Sequence, residues 1–144
     1  MPFVYLSLDS LDSLALGALA GLALPRPRDR ALVALACAFA DLTGTAAHGL
    51  PGGYAVGSVM ASVGAALVLV ALSPRWRDRR VLLWLGVATL GGLDNLLLGA
   101  DGGSSAWRAA LASLGCAWVA MAAVRWAVLG GAFLAMRALA LVVG

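Results

Sequence analysis

The chain has 144 residues, 62% of them hydrophobic, with a mean hydropathy of +0.96 and a formal net charge of +3. A soluble domain carries roughly 45–50% apolar residues, so this composition excludes an ordinary water-soluble globule and predicts an all-α integral membrane protein. All ten basic residues are Arg and all seven acids are Asp; the positive excess lies in two arginine clusters, so it reports orientation in the lipid bilayer and not a nucleic-acid partner.

Taken in chain order, polar punctuation divides the sequence into six candidate spans. The first runs from Phe3 to Leu24. It lacks the basic n-region of a signal peptide, and its apolar run holds Asp9 and Asp12, so it is expected to stay as a helix. The stretch Pro25-Arg26-Pro27-Arg28-Asp29-Arg30 reads as a loop. Span two covers Ala31 to Gly49, Pro51-Gly52-Gly53 is a tight turn, and span three covers Tyr54 to Leu72. The basic loop Pro74–Arg80 marks the midpoint. Span four runs from Val81 to Ala100 and ends at Asp101-Gly102-Gly103. Spans five and six, Ala106–Val124 and Ala127–Val143, are separated only by Arg125-Trp126. Each span is near the ~20 residues that cross the hydrocarbon of a bilayer.

Six alternating spans place both Arg-rich loops on one side, and the positive-inside rule makes that side cytoplasmic. Both termini then lie outside a multi-pass cell (inner) membrane protein. Trp76, Trp107 and Trp126 fall at span ends, where interfacial aromatics belong. Gly57, Ala61, Gly64 and Ala65 read as close-packing positions between helices. Arg125 is expected to snorkel to the interface, and Arg137 to pair with an acid.

One short stretch occurs twice. Leu11-Asp12-Ser13-Leu14-Ala15-Leu16-Gly17-Ala18 returns as Leu93-Asp94-Asn95-Leu96-Leu97-Leu98-Gly99-Ala100. Ala36-Cys37-Ala38-Phe39 resembles Gly115-Cys116-Ala117-Trp118, and Gly52-Gly53 resembles Gly130-Gly131. One transmembrane domain therefore parses into two repeats, residues 1–74 and 79–144, of three spans each. An odd number of spans per repeat inserts the halves with opposite topology, the inverted-repeat plan of many secondary transporters, whose working site lies at the midplane. Asp12, Asp41 and Asp94 sit about 13–20 Å into their spans at 1.5 Å per residue. Ionised acids there cost about 2.5–3.5 kcal/mol on insertion scales and mark functional sites. Asp9 reads as an entrance position and His48 as interfacial.

The stretches Ser10-Leu11-Asp12-Ser13-Leu14-Ala15 and Gly92-Leu93-Asp94-Asn95-Leu96-Leu97, with Leu114-Gly115-Cys116-Ala117 as a weaker match, resemble the manganese efflux pump (MntP-like) family of the lysine exporter superfamily. Span two departs from that family: the acid of Phe39-Ala40-Asp41-Leu42-Thr43-Gly44-Thr45 has a different spacing, and no Pro lies beside it. The resemblance implies a six-helix exporter of Mn²⁺. Carboxylates of Asp12, Asp41 and Asp94, the Asn95 amide and the Thr43 or Thr45 hydroxyl form an oxygen-donor set, which suits a hard divalent cation. Burial raises carboxyl pKa values and a bound metal lowers them, so proton-coupled exchange follows naturally. The ion is cargo; no resident cofactor is expected, and pairing into a homodimer is compatible with this reading.

Three other readings remain open. An exporter of amino acids or other small solutes would share the superfamily's plan. Cys37 and Cys116, at matching places in the two repeats, could act as a thiol-disulfide electron carrier, although Cys is also a common small apolar filler. A small assembly subunit would need no transport site, with Asp12 and Asp94 serving only to pack helices. No nucleotide loop, zinc-protease motif or nucleophile elbow occurs, so no enzyme and no catalytic residue is expected.

Overall fold

The structure is a computed structural model that describes residues 11–73, 80–98 and 105–143, with Leu11, Asp12, Leu98 and residues 138–143 described in backbone only. Every regular element among them is an α-helix: α1 Leu11–Ala23, α2 Pro27–Ala47, α3 Gly53–Leu72, α4 Arg80–Gly91, α5 Leu93–Leu98 and α6 Ala106–Val143. Four stretches are long and apolar enough to cross a membrane: α2, α3, the α4–α5 pair over 80–97, and α6. α1 is a shorter apolar helix, and the part of span one before Leu11 lies outside the described residues.

Helix α2 is the hub, packing against every other helix, and its buried positions explain why. Val33, Ala34, Cys37, Ala40, Asp41, Gly44 and Ala47 recur every three to four residues, which puts them on one face of a 3.6-residue helix. The core they join is made of small side chains, Ala20, Ala34, Cys37, Ala88 and Ala117, closed by Leu24, Val33 and Met121. Small residues bring helix backbones close together, the usual basis of helix association in lipid. A Cβ at Gly21 would lie 2.9 Å from Met121 Cα, and one at Gly86 would lie 2.8 Å from the Gly64 carbonyl oxygen. Large apolar side chains face outward instead, Leu19, Leu22, Phe39, Leu69, Leu72, Trp107 and Leu111 among them. Burying alanine and exposing leucine inverts the pattern of a soluble core and is compatible with a hydrocarbon surround.

The structure differs from the sequence-based boundaries in three places. The loop expected up to Arg30 ends earlier, because Pro27 occupies the first helical turn, where its fixed φ and missing N–H cost nothing. Span four is broken: α4 stops at Gly91, Gly92 forms a turn and α5 restarts at Leu93. The break expected at Arg125-Trp126 does not occur, since α6 continues for 38 residues, about 57 Å at 1.5 Å per residue. Nothing in Val124-Arg125-Trp126-Ala127-Val128-Leu129 caps or stops a helix. The Arg137 guanidinium stacks 5.5 Å from the Phe133 ring centroid, a cation–π contact, and pairs with no acid among the described residues.

Candidate functional site

Residues on four helices meet at one carboxylate. Asp41 is 3% exposed and lies fourteen residues into α2, about 20 Å along its axis. Asn95 of α5 donates its Nδ2–H to Asp41 Oδ1 at 2.9 Å, and Ser13 of α1 donates its hydroxyl to Oδ2 at 3.5 Å. Ser13 Oγ lies 2.7 Å from Ser113 Oγ on α6. A serine has one hydroxyl proton, so with Ser13 donating to Asp41, Ser113 donates to Ser13. Ser13, Asn95 and Ser113 are 2%, 8% and 0% exposed. The charge-bearing group is thus fully enclosed, and three polar side chains point hydrogens toward it along two routes.

Local sequence explains how this cluster forms. The Gly91-Gly92 break lets α5 start beside α2, and Gly92 is the closest point of contact. A Cβ there would sit 2.6 Å from the carbonyl of Ala40. Gly44 faces the same crossing, where an added Cβ would collide with the Gly92 carbonyl. Two bare glycines therefore allow the approach that carries Asn95 to Asp41. His48 supports it from the end of α2, its Nδ1–H donating to the Leu96 carbonyl at 2.8 Å.

The six expected ligands separate in space. Asp41 and Asn95 come together. Asp94 is exposed, with its Oδ1 accepting from the Asn95 backbone N–H at 2.7 Å in the first turn of α5. Thr43 turns back on its own helix, donating to the Phe39 carbonyl at 2.7 Å. Thr45 Oγ1 is buried and has no partner among the described residues. It stands one turn beyond Asp41 on α2, where an unsatisfied hydroxyl costs about 1–3 kcal/mol unless water or an ion supplies the missing bond. The Asp12 side chain lies outside the described residues, so the convergence of three acids is represented by Asp41 in the core and Asp94 at the surface. No three of His, Cys, Asp and Glu group together as a metal cage among the described residues.

Two participants were missed. Ser13 and Ser113 complete the network, and Ser13 had a signal: it occupies the position of Asn95 in the repeated stretch, directly after the repeated Asp. Ser113 had none, since it is one serine in the apolar run Leu111-Ala112-Ser113-Leu114. Cys37, expected to be either redox partner or filler, joins Ser13, Asp41, Ala88 and Gly91 in lining a cavity of about 90 Å³ beside the cluster. That volume has room for an ion with a few waters. No disulfide joins Cys37 and Cys116. A second hollow, about 280 Å³, lies at the α2–α3 turn between His48, Tyr54 and Leu96.

No known protein family, curated protein or solved structure matches this chain.

Proposed function

We propose that the chain is a secondary transporter of the cell membrane that exports a small, hard divalent cation, with Mn²⁺ favoured. One observation carries this reading: a carboxylate buried at mid-depth in an apolar bundle, held by side chains from three further helices and adjoined by a cavity. A packing role would be served more cheaply by an apolar residue, because an intramembrane acid is costly wherever it has no task. Asp41 is the binding carboxylate, and Asn95, Ser13 and Ser113 orient it while holding its charge. Thr45 offers an unsatisfied oxygen one turn away. Every donor but Cys37 is oxygen, the set that suits Mg, Ca or Mn. The sequence resemblance to manganese efflux pumps narrows these to Mn²⁺ and implies Asp12 as a second carboxylate. Proton coupling follows if the emptied carboxylates are neutralised by protons.

The 3+3 inverted repeat, with both termini outside and the Arg-rich loops cytoplasmic, belongs to this proposal. It requires α6 to bend at Arg125-Trp126, the boundary expected between spans five and six, since two spans cannot share one straight rod; Gly130-Gly131, about one turn further on, weaken the helix there by about 1 kcal/mol per glycine.

The test is metal tolerance of a host lacking its own exporter, challenged with Mn²⁺, Cd²⁺, Zn²⁺ and a cationic amino acid. Protection against Mn²⁺ by the unmodified chain, lost in Asp41→Asn at equal membrane abundance, is the expected result. Protection only against the amino acid would favour the solute exporter. Protection against nothing would favour an assembly subunit.

A further inference from the structure

Where α1 ends and α2 and α4 begin, the structure has a cleft of about 480 Å³ that the cation site does not use. Arg26, Asp29 and Arg80 supply its charged wall, and Ala23, Leu24 and Val81 its apolar one. Arg26 and Arg80 are exposed and come from opposite halves of the sequence. Arg30 and Arg125 reinforce the positive field at this end, being near enough to feel each other's charge. In the six-span reading proposed above, on which this inference rests, α1 and α4 run from here into apolar segments, which sets the cleft at headgroup depth. Basic pockets between membrane helices at that depth bind anionic lipid headgroups, and the volume falls in the range of ordinary ligand pockets.

We propose that this cleft binds the phosphodiester of an anionic phospholipid such as phosphatidylglycerol, with Arg26 and Arg80 on the phosphate oxygens. The mixed lining favours a lipid over free phosphate. Ala23, Leu24 and Val81 offer surface to the glycerol and first acyl carbons, which inorganic phosphate cannot use. Asp29 sharpens the choice further. Its carboxylate repels a dianionic phosphate monoester but can accept a hydrogen bond from a headgroup hydroxyl, so a singly charged diester bearing hydroxyls fits best. Guanidinium groups bind phosphate oxygens as paired donors, which also explains why arginines from two elements face one hollow.

Native mass spectrometry of the purified chain in detergent, titrated with phosphatidylglycerol, phosphatidylcholine or inorganic phosphate, tests this. Phosphatidylglycerol should be retained selectively. Arg26→Gln and Arg80→Gln should each weaken it about fivefold, while Arg26→Lys, which keeps the charge but not the paired donors, should weaken it less than Arg26→Gln. Arg108→Gln should leave it unchanged, because α6 runs parallel to α1 from Gly17 against Ala117 to Gly21 against Met121, which puts Arg108 at the far end. Unfolding midpoints of the variants separate a lost site from a lost fold. Equal retention of phosphatidylcholine, or an equal loss in Arg108→Gln, would overturn the proposal. Displacement of the lipid by an equal concentration of inorganic phosphate would reassign the cleft to free anions and overturn the lipid assignment.

Discussion

The α2–α3 junction and the middle of α6 align on their glycine pairs, Gly52-Gly53 and Gly130-Gly131, yet one turns and the other does not. In the first half, His48-Gly49-Leu50-Pro51-Gly52 stops α2 and reverses the chain. Gly49 and Gly52 take φ of 72° and 97°, a left-handed backbone that other residues adopt at a cost of about 1–2 kcal/mol. Pro51 cannot continue the helix, and the Leu50 and Gly53 N–H groups bond back to Ala47 and Leu50. In the second half the same places hold Trp126-Ala127-Val128-Leu129-Gly130. No Pro interrupts them, and α6 passes through Gly130-Gly131 without a break. Local turn chemistry therefore decides whether an apolar stretch becomes two helices or one.

The largest effect should come from the packed glycines. Gly92→Val adds side-chain atoms against the Ala40 backbone, which cannot yield as a side chain would. Overpacking typically costs about 1–3 kcal/mol, and here the loss should reach the top of that range or exceed it. The readout is the thermal midpoint of the chain in detergent; an unchanged midpoint would mean that α5 does not lie against α2.

Exchanging the junctions comes next. Spin labels at Trp107 and Met136, both exposed, should be about 44 Å apart along a straight α6 at 1.5 Å per residue. Replacing residues 126–129 with the His-Gly-Leu-Pro of the first junction should fold the distal half back and shorten that distance markedly. If the unmodified chain in a bilayer already shows a short distance, the membrane itself bends α6, as the six-span proposal requires. A smaller effect is expected from Gly52→Ala, which should destabilise by about 1–2 kcal/mol through its left-handed backbone. Smallest of all, Gly130→Ala should stabilise by up to about 1 kcal/mol, because a Cβ there meets nothing within 4 Å. Denaturant titration of the two variants would show these opposite signs, and a loss of stability in Gly130→Ala would reveal a contact or bend at that glycine.

The same contrast explains what the sequence could disclose. Spans two and three were legible to within a few residues because Pro51-Gly52-Gly53 and the arginine clusters punctuate them. The start of α2 was misplaced because a basic stretch headed by Pro27 reads as loop, although proline is welcome in a first helical turn. The break at Gly92 was hidden because two glycines inside an apolar run carry no mark of which tertiary contact they serve. Within the site, Asp41 and Asn95 were legible as polar residues in lipid-like surroundings. Ser113 was not, because a serine in a helix shows its partner only once the helices are packed. In both copies of the repeated stretch the residue after the acid, Ser13 in one and Asn95 in the other, is the one that reaches Asp41.

The most direct test of the Asp41 site is Mn²⁺ flux across proteoliposomes containing the purified chain, the unmodified protein beside Asp41→Asn. The amide keeps the size of the side chain and can still bond to Ser13, so the fold should survive, while a divalent ion loses a charge partner that a dipole replaces only in part. Saturable Mn²⁺ flux is expected in the unmodified chain and a loss of at least about tenfold in the variant, one decade corresponding to about 1.4 kcal/mol. Full flux through Asp41→Asn would contradict the Asp41 site, and would leave the buried cluster as packing alone.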